Sequence, residues 1–529
     1  MKKIFLLVFL FSTCSVSAQT LLTKFEQSKG TQTPTYFEIV DWWKKLDVQS
    51  PYLKMLTMGM TDAGYPLHLV IISTDKDFNF ESLRKKNKRI ILINNGIHPG
   101  EPDGVDASML LARDICHYLA NENKIQPASG SNFDLRWNDY NLPKNLVLAF
   151  IPIYNIGGCL NRSGNYRVDQ NGPEEFGFRG NSQNLDLNRD FIKCDSRDAR
   201  AFTEIFQLTD PDVFIDNHVS NGADYQHVMT LLTTQNSKLG GVMGNYIRDQ
   251  FEPAIYSSMK TKGIDLIPYV NSFADGPDNG WPEYWDSPRY ASGYAALWHT
   301  FSFVPETHML KPYDQRVKAT YELMKSFIEF TAKNSEQIKT LRDQTKQSVR
   351  SATEFPLSWS LDRSKFKEVL YKGYEAGRKT SEVSGLPRLY YDRNKPYEKQ
   401  VKIFNHFVPK TFTKTPKAYI IPQGWWKVIE LLKLNKVQMT QLKKDSTIEV
   451  EVYKIDDYKT APRQYEMHHL NSDVKISASI QKIQFKKGDW YIALNQSANR
   501  FLIETLEPQG EDSYFAWNYF DAILGQKEG

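Results

Sequence analysis

The chain has 529 residues, of which 24% are charged, and a formal net charge of +4 at pH 7. This length exceeds that of one ordinary domain, so two domains are expected. The near-neutral charge, without basic tracts interleaved with aromatic residues, argues against a nucleic-acid partner.

The first residues are typical of a secretory signal peptide. Lysines at positions 2 and 3 precede a short apolar run over 4–11, and Val16-Ser17-Ala18 offers small residues for cleavage before Gln19. No later stretch approaches the ~20 apolar residues that a transmembrane helix needs. Residues 1–18 are therefore predicted to be a signal peptide. The protein is expected to be exported, to the periplasm or the extracellular space, with no integral membrane segment after signal removal.

Strand-like and helix-like patterns alternate from about residue 35 to residue 335. Predicted buried strands cover 88–94, 146–152, 212–216 and 298–305, and predicted helices cover 103–119, 201–208 and 313–332. This alternation favours an α/β fold, a mostly parallel mixed sheet with helices on both faces. Ligands of such sheets bind at the carboxyl ends of the strands.

The pattern changes beyond a polar, charged stretch near residues 333–353. Alternating residues predict half-exposed strands over 448–453 and 474–480, and residues 425–434 predict a short helix. We therefore expect a first domain over 19–335, a linker over 336–354 and a smaller α+β, strand-rich C-terminal domain of unknown role over 355–529. Its pair His468-His469 is predicted to lie in a solvated loop.

The cysteines that follow the predicted signal peptide are Cys116, Cys159 and Cys194. An odd number without a CxxC pair forms neither a disulfide framework nor a thiolate metal site. One disulfide among them is compatible with an oxidising compartment, and one thiol would then be left over.

His98 and Glu101 stand three residues apart on the loop after the first predicted strand. Both side chains can reach one cation, and a catalytic zinc takes three protein ligands and keeps one position open. The pair alone is weak evidence, because a loop histidine beside a helix-start glutamate is common. His218, which closes the third predicted strand, is the candidate third ligand, although a single histidine is more often structural.

Further polar residues follow at strand ends or on loops. Asn188 and Arg189 could bind a ligand carboxylate, since a guanidinium binds carboxylate in a two-bond fork. Glu306, at the predicted end of the fourth strand, could act as a general base toward a zinc-activated water. Taken singly, Arg189 fits a surface salt bridge equally well, and Glu306 fits a turn.

Four motifs in order, His98-Pro-Gly-Glu101, Asp186-Leu-Asn188-Arg189, His218 and Glu306, resemble the zinc carboxypeptidase family typified by carboxypeptidase A. The resemblance covers roughly residues 35–335 and is closest to divergent bacterial members. It implies that residues 19–335 form a zinc carboxypeptidase-like catalytic domain. It also implies that His98, Glu101 and His218 bind Zn²⁺, and that Glu306 activates the attacking water and passes its proton to the leaving amine.

The resemblance implies roles for further residues. Arg179 is similar to the arginine that polarises the scissile carbonyl and stabilises its oxyanion, and Asn188 with Arg189 would hold the C-terminal carboxylate of the substrate. Asp186 is similar to the aspartate that fixes the first histidine ligand. The mobile tyrosine of the family corresponds to Tyr290 or Tyr294, and Tyr290 is preferred.

The sequence thus predicts an exported zinc metallocarboxypeptidase that hydrolyses the C-terminal bond of peptides with a free carboxylate. One alternative is a cell-wall peptide amidase or an acyl-amino-acid deacylase on the same zinc core. Another is a non-catalytic binding protein with a vestigial hydrolase core, against which the intact Glu306 argues. The side-chain preference and the oligomeric state do not follow from the sequence.

Overall fold

A computed structural model describes residues 21–121, 140–273 and 276–528. The predicted signal peptide lies outside these residues. Within the described ranges, no helix is long and apolar enough to cross a membrane.

Helices and strands alternate through the first part of the chain, and strands dominate after residue 352. The α-helices are α1 (Lys24–Gln27), α2 (Tyr36–Gln49), α3 (Phe80–Lys85), α4 (Asp103–Asn121), α5 (Ile156–Leu160), α6 (Arg197–Thr209), α7 (Asn236–Leu239), α8 (Gly241–Tyr246), α9 (Glu252–Thr261), α10 (Ala291–Leu297), α11 (Tyr313–Lys333), α12 (Ser335–Ser351), α13 (Trp426–Leu434) and α14 (Asn499–Leu506). The strands up to residue 308 are β1 (Leu53–Met60), β2 (Pro66–Ser73), β3 (Arg89–Asn94), β4 (Leu146–Ile151), β5 (Arg162–Ser163), β6 (Phe176–Gly177), β7 (Val213–Asp216), β8 (His218–Ser220), β9 (Met229–Thr233), β10 (Ile267–Pro268), β11 (Trp281–Pro282) and β12 (Phe301–His308). The later strands are β13 (Glu354–Leu361), β14 (Lys367–Thr380), β15 (Pro387–Phe404), β16 (Phe407–Lys414), β17 (Ala418–Ile421), β18 (Thr440–Gln441), β19 (Ser446–Thr460), β20 (Asn471–Phe485) and β21 (Trp490–Ala493).

A nine-stranded mixed sheet forms the centre of the fold. Its order is β1-β2-β4-β3-β7-β12-β9-β10, and β8 pairs with β12. The central strands β4, β3, β7 and β12 are parallel, and antiparallel strands flank them on both sides. The predicted mostly parallel mixed sheet is thus confirmed.

Helices cover both faces of this sheet. Along β3, Ile91 and Ile93 join one apolar cluster with residues of α4 and α11, while Ile90 and Leu92 join a second cluster with residues of α6 and α10. A strand covered on both faces is apolar along most of its length, which explains the continuous apolar run from Ile90 to Ile93.

The fourth predicted strand is displaced in the structure. Residues 298–300 follow helix α10 as a turn, and β12 begins at Phe301 and continues to His308. The strand extends further because Glu306 pairs with His218 of β8 on one side and with Thr230 of β9 on the other. The prediction that Glu306 ends its strand was therefore wrong, and it lies inside the strand beside His218.

Helix α12 occupies most of the segment predicted as a linker. Its narrow apolar stripe of Ile338, Leu341 and Val349 is buried, and so is its Arg342. The polar residues on its other faces explain why the sequence resembles a connection. The domain boundaries themselves stay a prediction.

The region after residue 352 is rich in strands, as predicted. It contains the antiparallel ribbons β13–β16, β14–β15 and β19–β20 and the small sheet β17-β21-β18. Side chains of α13 and α14 join the same apolar cluster as α6 and α10. Cys116, Cys159 and Cys194 are buried free thiols.

Candidate active site

The three predicted metal ligands meet at the carboxyl edge of the central sheet. His98 and Glu101 lie on the loop between β3 and α4, and His218 is the first residue of β8. All three are buried, and one ligand atom of each lies within 4.8 Å of the others. The Nδ1 atoms of His98 and His218 lie 3.3 Å and 3.0 Å from the Glu101 carboxylate.

The loop that carries His98 depends on the glycine before it. Gly96 has a φ of +63°, and a Cβ atom built there would lie 2.2 Å from the Cδ1 atom of Ile153. Glycine adopts this left-handed conformation without the crowding that a Cβ atom would cause. The chain can therefore leave β3 sharply and turn His98 back over the sheet edge.

Each imidazole is held from behind by a carboxylate. His98 Nε2 lies 2.9 Å from Asp186 Oδ1, and His218 Nε2 lies 3.0 Å from Asp216 Oδ2. Each carboxylate accepts a hydrogen bond from the Nε2–H group, which leaves a lone pair on the Nδ1 atom that faces the shared centre. This pattern is common behind metal-binding histidines, and two imidazoles with one carboxylate suit zinc. The residues present therefore fit a zinc ion.

The surroundings keep Glu101 and Asp186 ionised. Burial would raise the pKa of Glu101, but His98 and Arg167 hold that pKa well below its usual range. Burial would likewise raise the pKa of Asp186, yet His98 and the guanidinium group of Arg179 hold it well below its usual range. Both carboxylates are therefore available as a ligand and as an acceptor.

Glu306 faces the same cavity beside His218, its neighbour in the sheet. Burial raises the pKa of Glu306 to about 8; the nearby His218 opposes this rise and the Glu101 charge adds to it. A cation held by the three ligands would favour the ionised form of Glu306. An ionised carboxylate at this position can accept a proton from a water beside the centre.

Arg179 and Arg189 both approach Asp186 from the cavity. Arg179 Nη2 lies 2.9 Å from Asp186 Oδ2, whereas the nearest nitrogen of Arg189 lies 3.8 Å away. Arg189 also stacks over the ring of Tyr290, with 4.7 Å between the guanidinium carbon and the ring centroid. The buried Asn188 Oδ1 has no hydrogen-bond partner among the described residues. Arg189 and Asn188 both line the cavity, where the Asn188 side chain has an unused acceptor.

A cavity of about 930 Å³ contains these groups. It is lined by the three candidate ligands, Glu306, Arg167, Arg179, Asn188, Arg189, Tyr269, Tyr284 and Tyr290, among others. Tyr294, the alternative to Tyr290, is instead buried in the core, where its hydroxyl donates to Asn435 Oδ1 at 2.7 Å. The structure thus places Tyr290, and not Tyr294, on the cavity wall.

Sequence reasoning missed two partners of the candidate ligands. Arg167 Nη1 lies 2.8 Å from Glu101 Oε1, and its Nη2 donates to the carbonyl of Val219. No short motif surrounds Arg167, so local sequence gave no signal for it. Asp216 was detectable, because it stands two residues before His218 at the end of an apolar strand.

A buried His–Glu–His group beside a carboxylate, in a cavity lined by guanidinium groups, is typical of metallopeptidases, a class of hydrolases. Residues 39–204 match the zinc carboxypeptidase family, Peptidase_M14. This match confirms the predicted resemblance and supports the assignment to the metallopeptidases. His98, Glu101 and Arg189 lie inside the matched segment, while His218 and Glu306 lie beyond it. No curated protein matches the chain significantly.

Solved structures similar to this chain include carboxypeptidases from bacteria and an insect. A metallo-carboxypeptidase from Burkholderia cenocepacia is 14% identical, with 56% of this chain and 68% of that chain covered and a TM-score of 0.39. Carboxypeptidase A from Helicoverpa armigera is 14% identical, with 57% and 74% covered and a TM-score of 0.40. A Pseudomonas aeruginosa metallo-carboxypeptidase in complex with (2-guanidinoethylmercapto)succinic acid is 11% identical, with 56% and 68% covered and a TM-score of 0.39.

Proposed function

We propose that this protein is a zinc-dependent metallocarboxypeptidase, which removes the C-terminal residue from peptides. The observation that carries the proposal is the buried group of His98, Glu101 and His218, with a carboxylate behind each imidazole, in one cavity with Glu306. Export stays a prediction from residues 1–18.

The candidate ligands would hold zinc through the Nδ1 atoms of His98 and His218 and a carboxylate oxygen of Glu101. When bound, zinc supplies a Lewis acid that polarises a carbonyl and lowers the pKa of water. Arg167 donates to Glu101, which keeps this carboxylate ionised and fixed.

Glu306 would act as the general base. Its carboxylate accepts a proton from the attacking water and then returns this proton to the leaving amine. Arg179 is 46% exposed toward the cavity, so its guanidinium group can donate to the oxygen that becomes negative during attack.

Arg189 and Asn188 would set the position of the substrate. A guanidinium group binds a terminal carboxylate through two parallel hydrogen bonds, and the side-chain NH₂ group of Asn188 would donate a further hydrogen bond to it. Because both residues line the same cavity as Glu306, a peptide held by its C-terminus would present its last peptide bond to the centre.

Removal and restoration of zinc test this function. Purified protein should hydrolyse a peptide with a free C-terminus, lose this activity after treatment with a chelator, and regain it when Zn²⁺ is added but not when Mg²⁺ is added. Hydrolysis that persists in protein shown by metal analysis to be free of zinc would contradict the proposal.

A further inference from the structure

A tight turn from the C-terminal region contacts Asp186, the residue behind the candidate ligand His98. Tyr465 and His468 pair with each other, with the amide of each donating to the carbonyl of the other at 2.8 Å and 3.0 Å. Glu466 and Met467 form the two-residue loop between them, with φ values of +48° and +69°. This geometry is that of a type I′ turn.

The residue types in this turn do not suit its backbone. Positive φ at both central positions favours Asn and Gly, because a side chain with a Cβ atom crowds the backbone there. Glutamate and methionine are unfavourable choices at these two positions. Strain of this kind persists where surrounding contacts hold it, and it is concentrated near functional sites.

The Glu466 side chain makes a contact that glycine could not make. Its Oε2 atom accepts a hydrogen bond from the backbone N–H of Asp186 at 2.9 Å, across 280 residues of sequence. The carboxylate of the same Asp186 receives His98 Nε2 at 2.9 Å and Arg179 Nε at 3.0 Å. Glu466 therefore fixes the backbone of the residue that orients both groups.

Other residues of the C-terminal region hold the continuation of the same segment. His468 Nε2 lies 2.9 Å from Asp195 Oδ2, and the Tyr519 hydroxyl donates to the Lys193 carbonyl at 2.6 Å. The His468 contact corrects the expectation that this histidine lies in a solvated loop. Residues of the C-terminal region thus hold both ends of the stretch from Asp186 to Asp195. These residues lie outside the segment 39–204 that matches the family.

We propose that Glu466 is a positioning residue of the metal centre, supplied by the C-terminal region. It acts through Asp186, which it holds in the place where the carboxylate orients His98 for metal binding and Arg179 for the substrate. This inference rests on the proposed role of His98 as a zinc ligand. It gives the C-terminal region a part in assembling the active site.

Two glycine substitutions separate positioning from simple stabilisation of the turn. Glu466→Gly relieves an unfavourable φ but removes the carboxylate, whereas Met467→Gly relieves the neighbouring φ and removes only a side chain that is 55% exposed. Glu466→Gln retains an oxygen that can accept the Asp186 N–H. The readouts are the urea midpoint of unfolding, the zinc dissociation constant from competition with a chromophoric chelator, and kcat and KM.

We expect Glu466→Gly to weaken zinc binding about tenfold, the lower end of the effect of partners behind metal ligands, without lowering the urea midpoint. Met467→Gly should raise the midpoint and leave zinc binding unchanged, and Glu466→Gln should stay within about threefold of the wild type in zinc binding.

Unchanged zinc binding in Glu466→Gly would overturn the inference, and so would equal weakening in all three variants. If the wild type binds zinc but cleaves no peptide, the proposed activity is wrong. The zinc dissociation constants of the variants, compared with that of the wild type, then still decide the role of Glu466. A wild type that binds no zinc overturns both.

Discussion

Asp216 links the candidate ligand His218 to the core of the sheet. Its Oδ2 atom accepts from His218 Nε2 at 3.0 Å, and its Oδ1 atom accepts from Asn94 Nδ2 at 2.9 Å. Partners of this kind fix the ring and raise its basicity, and their loss typically weakens metal binding 10–100-fold. We therefore expect Asp216→Ala to raise the zinc dissociation constant by about that factor, as measured by chelator competition.

A matched carboxylate far from the imidazoles controls for this substitution. Asp249 is exposed and pairs with its neighbour Arg248, so Asp249→Ala should leave zinc binding unchanged. Equal zinc affinity in Asp216→Ala and the wild type would show that this carboxylate does not support a ligand.

Replacement of Glu306 should lower kcat without weakening zinc binding, because Glu306 is proposed to accept a proton and not to bind the metal. Glu306→Gln keeps the shape of the side chain but cannot accept a proton from water. We expect kcat to fall by about 10²–10⁴-fold, the usual contribution of a general base, with the zinc dissociation constant within about threefold of the wild type. A large rise in the zinc dissociation constant together with the fall in kcat would indicate that Glu306 is a metal ligand and not a base.

The site could be predicted from the sequence only in part, and the reason is physical. His98 and Glu101 share one short loop, and Asp186, Asn188 and Arg189 share another, so their spacing is visible along the chain. Arg167 and Glu466 make equally direct contacts, but the fold alone brings them to Glu101 and Asp186. No periodicity or motif marks such residues.

Among the elements, buried parallel strands were the most predictable. Strand β3 is apolar at the four positions between Arg89 and Asn94, because both of its faces are covered. Strand β1 lies at the edge of the sheet and its exposure pattern has no strict alternation, so its sequence gave no strand signal. Edge strands depend on a neighbour that sequence patterns do not specify.

Helix α12 shows how a polar sequence can be integral to the fold. Arg342 is 4% exposed, and it bonds Asp212 Oδ1 at 2.8 Å and Asp210 Oδ1 at 2.7 Å. Asp212 would keep Arg89 as a partner at 3.3 Å if Arg342 were removed. We therefore expect Arg342→Met to lower the free energy of unfolding by about 2–3 kcal/mol, somewhat less than the usual cost of stranding a buried charge.

Urea denaturation measures this effect, and Arg350→Met provides the control. Arg350 lies on the same helix but is exposed, so its replacement should change the stability by less than about 0.5 kcal/mol. Similar small effects in both variants would mean that α12 behaves as the flexible linker that its composition indicates.

On the scale of the whole molecule, the central sheet and the C-terminal region share one apolar cluster. Phe202 and Tyr294 from one side join Phe501 and Trp517 from the other. His299 lies at this junction, where its Nε2 atom donates to the carbonyl of Ser497 at 3.0 Å. The two regions are therefore expected to unfold together.

This junction predicts a dependence of stability on pH. Burial, with the charges of Arg500, Lys346 and Arg342, lowers the pKa of His299 to about 3. The unfolded chain binds a proton here near pH 6.5, whereas the folded chain does not, so stability is lost as the pH falls from about 6.5 toward 3. At pH 5 this residue should account for about 2 kcal/mol of lost stability.

His299→Asn removes the titrating group, and asparagine tolerates the φ of +57° at this position. We expect the free energy of unfolding to fall less steeply below pH 6.5 in this variant than in the wild type or in His117→Asn, which alters an exposed histidine. Parallel pH profiles for all three proteins would contradict the assignment.

The activity proposed for this chain is the removal of C-terminal residues with a zinc ion held by His98, Glu101 and His218. The most direct measurement is mass spectrometry of two peptides of identical sequence, one with a free C-terminal carboxylate and one amidated, after incubation with zinc-loaded and zinc-free protein. We predict the loss of one C-terminal residue from the free-acid peptide alone and only with the zinc-loaded protein, because Arg189 and Asn188 are placed to bind the carboxylate. Equal cleavage of the amidated peptide, cleavage at an internal bond, or cleavage by the zinc-free protein would contradict it.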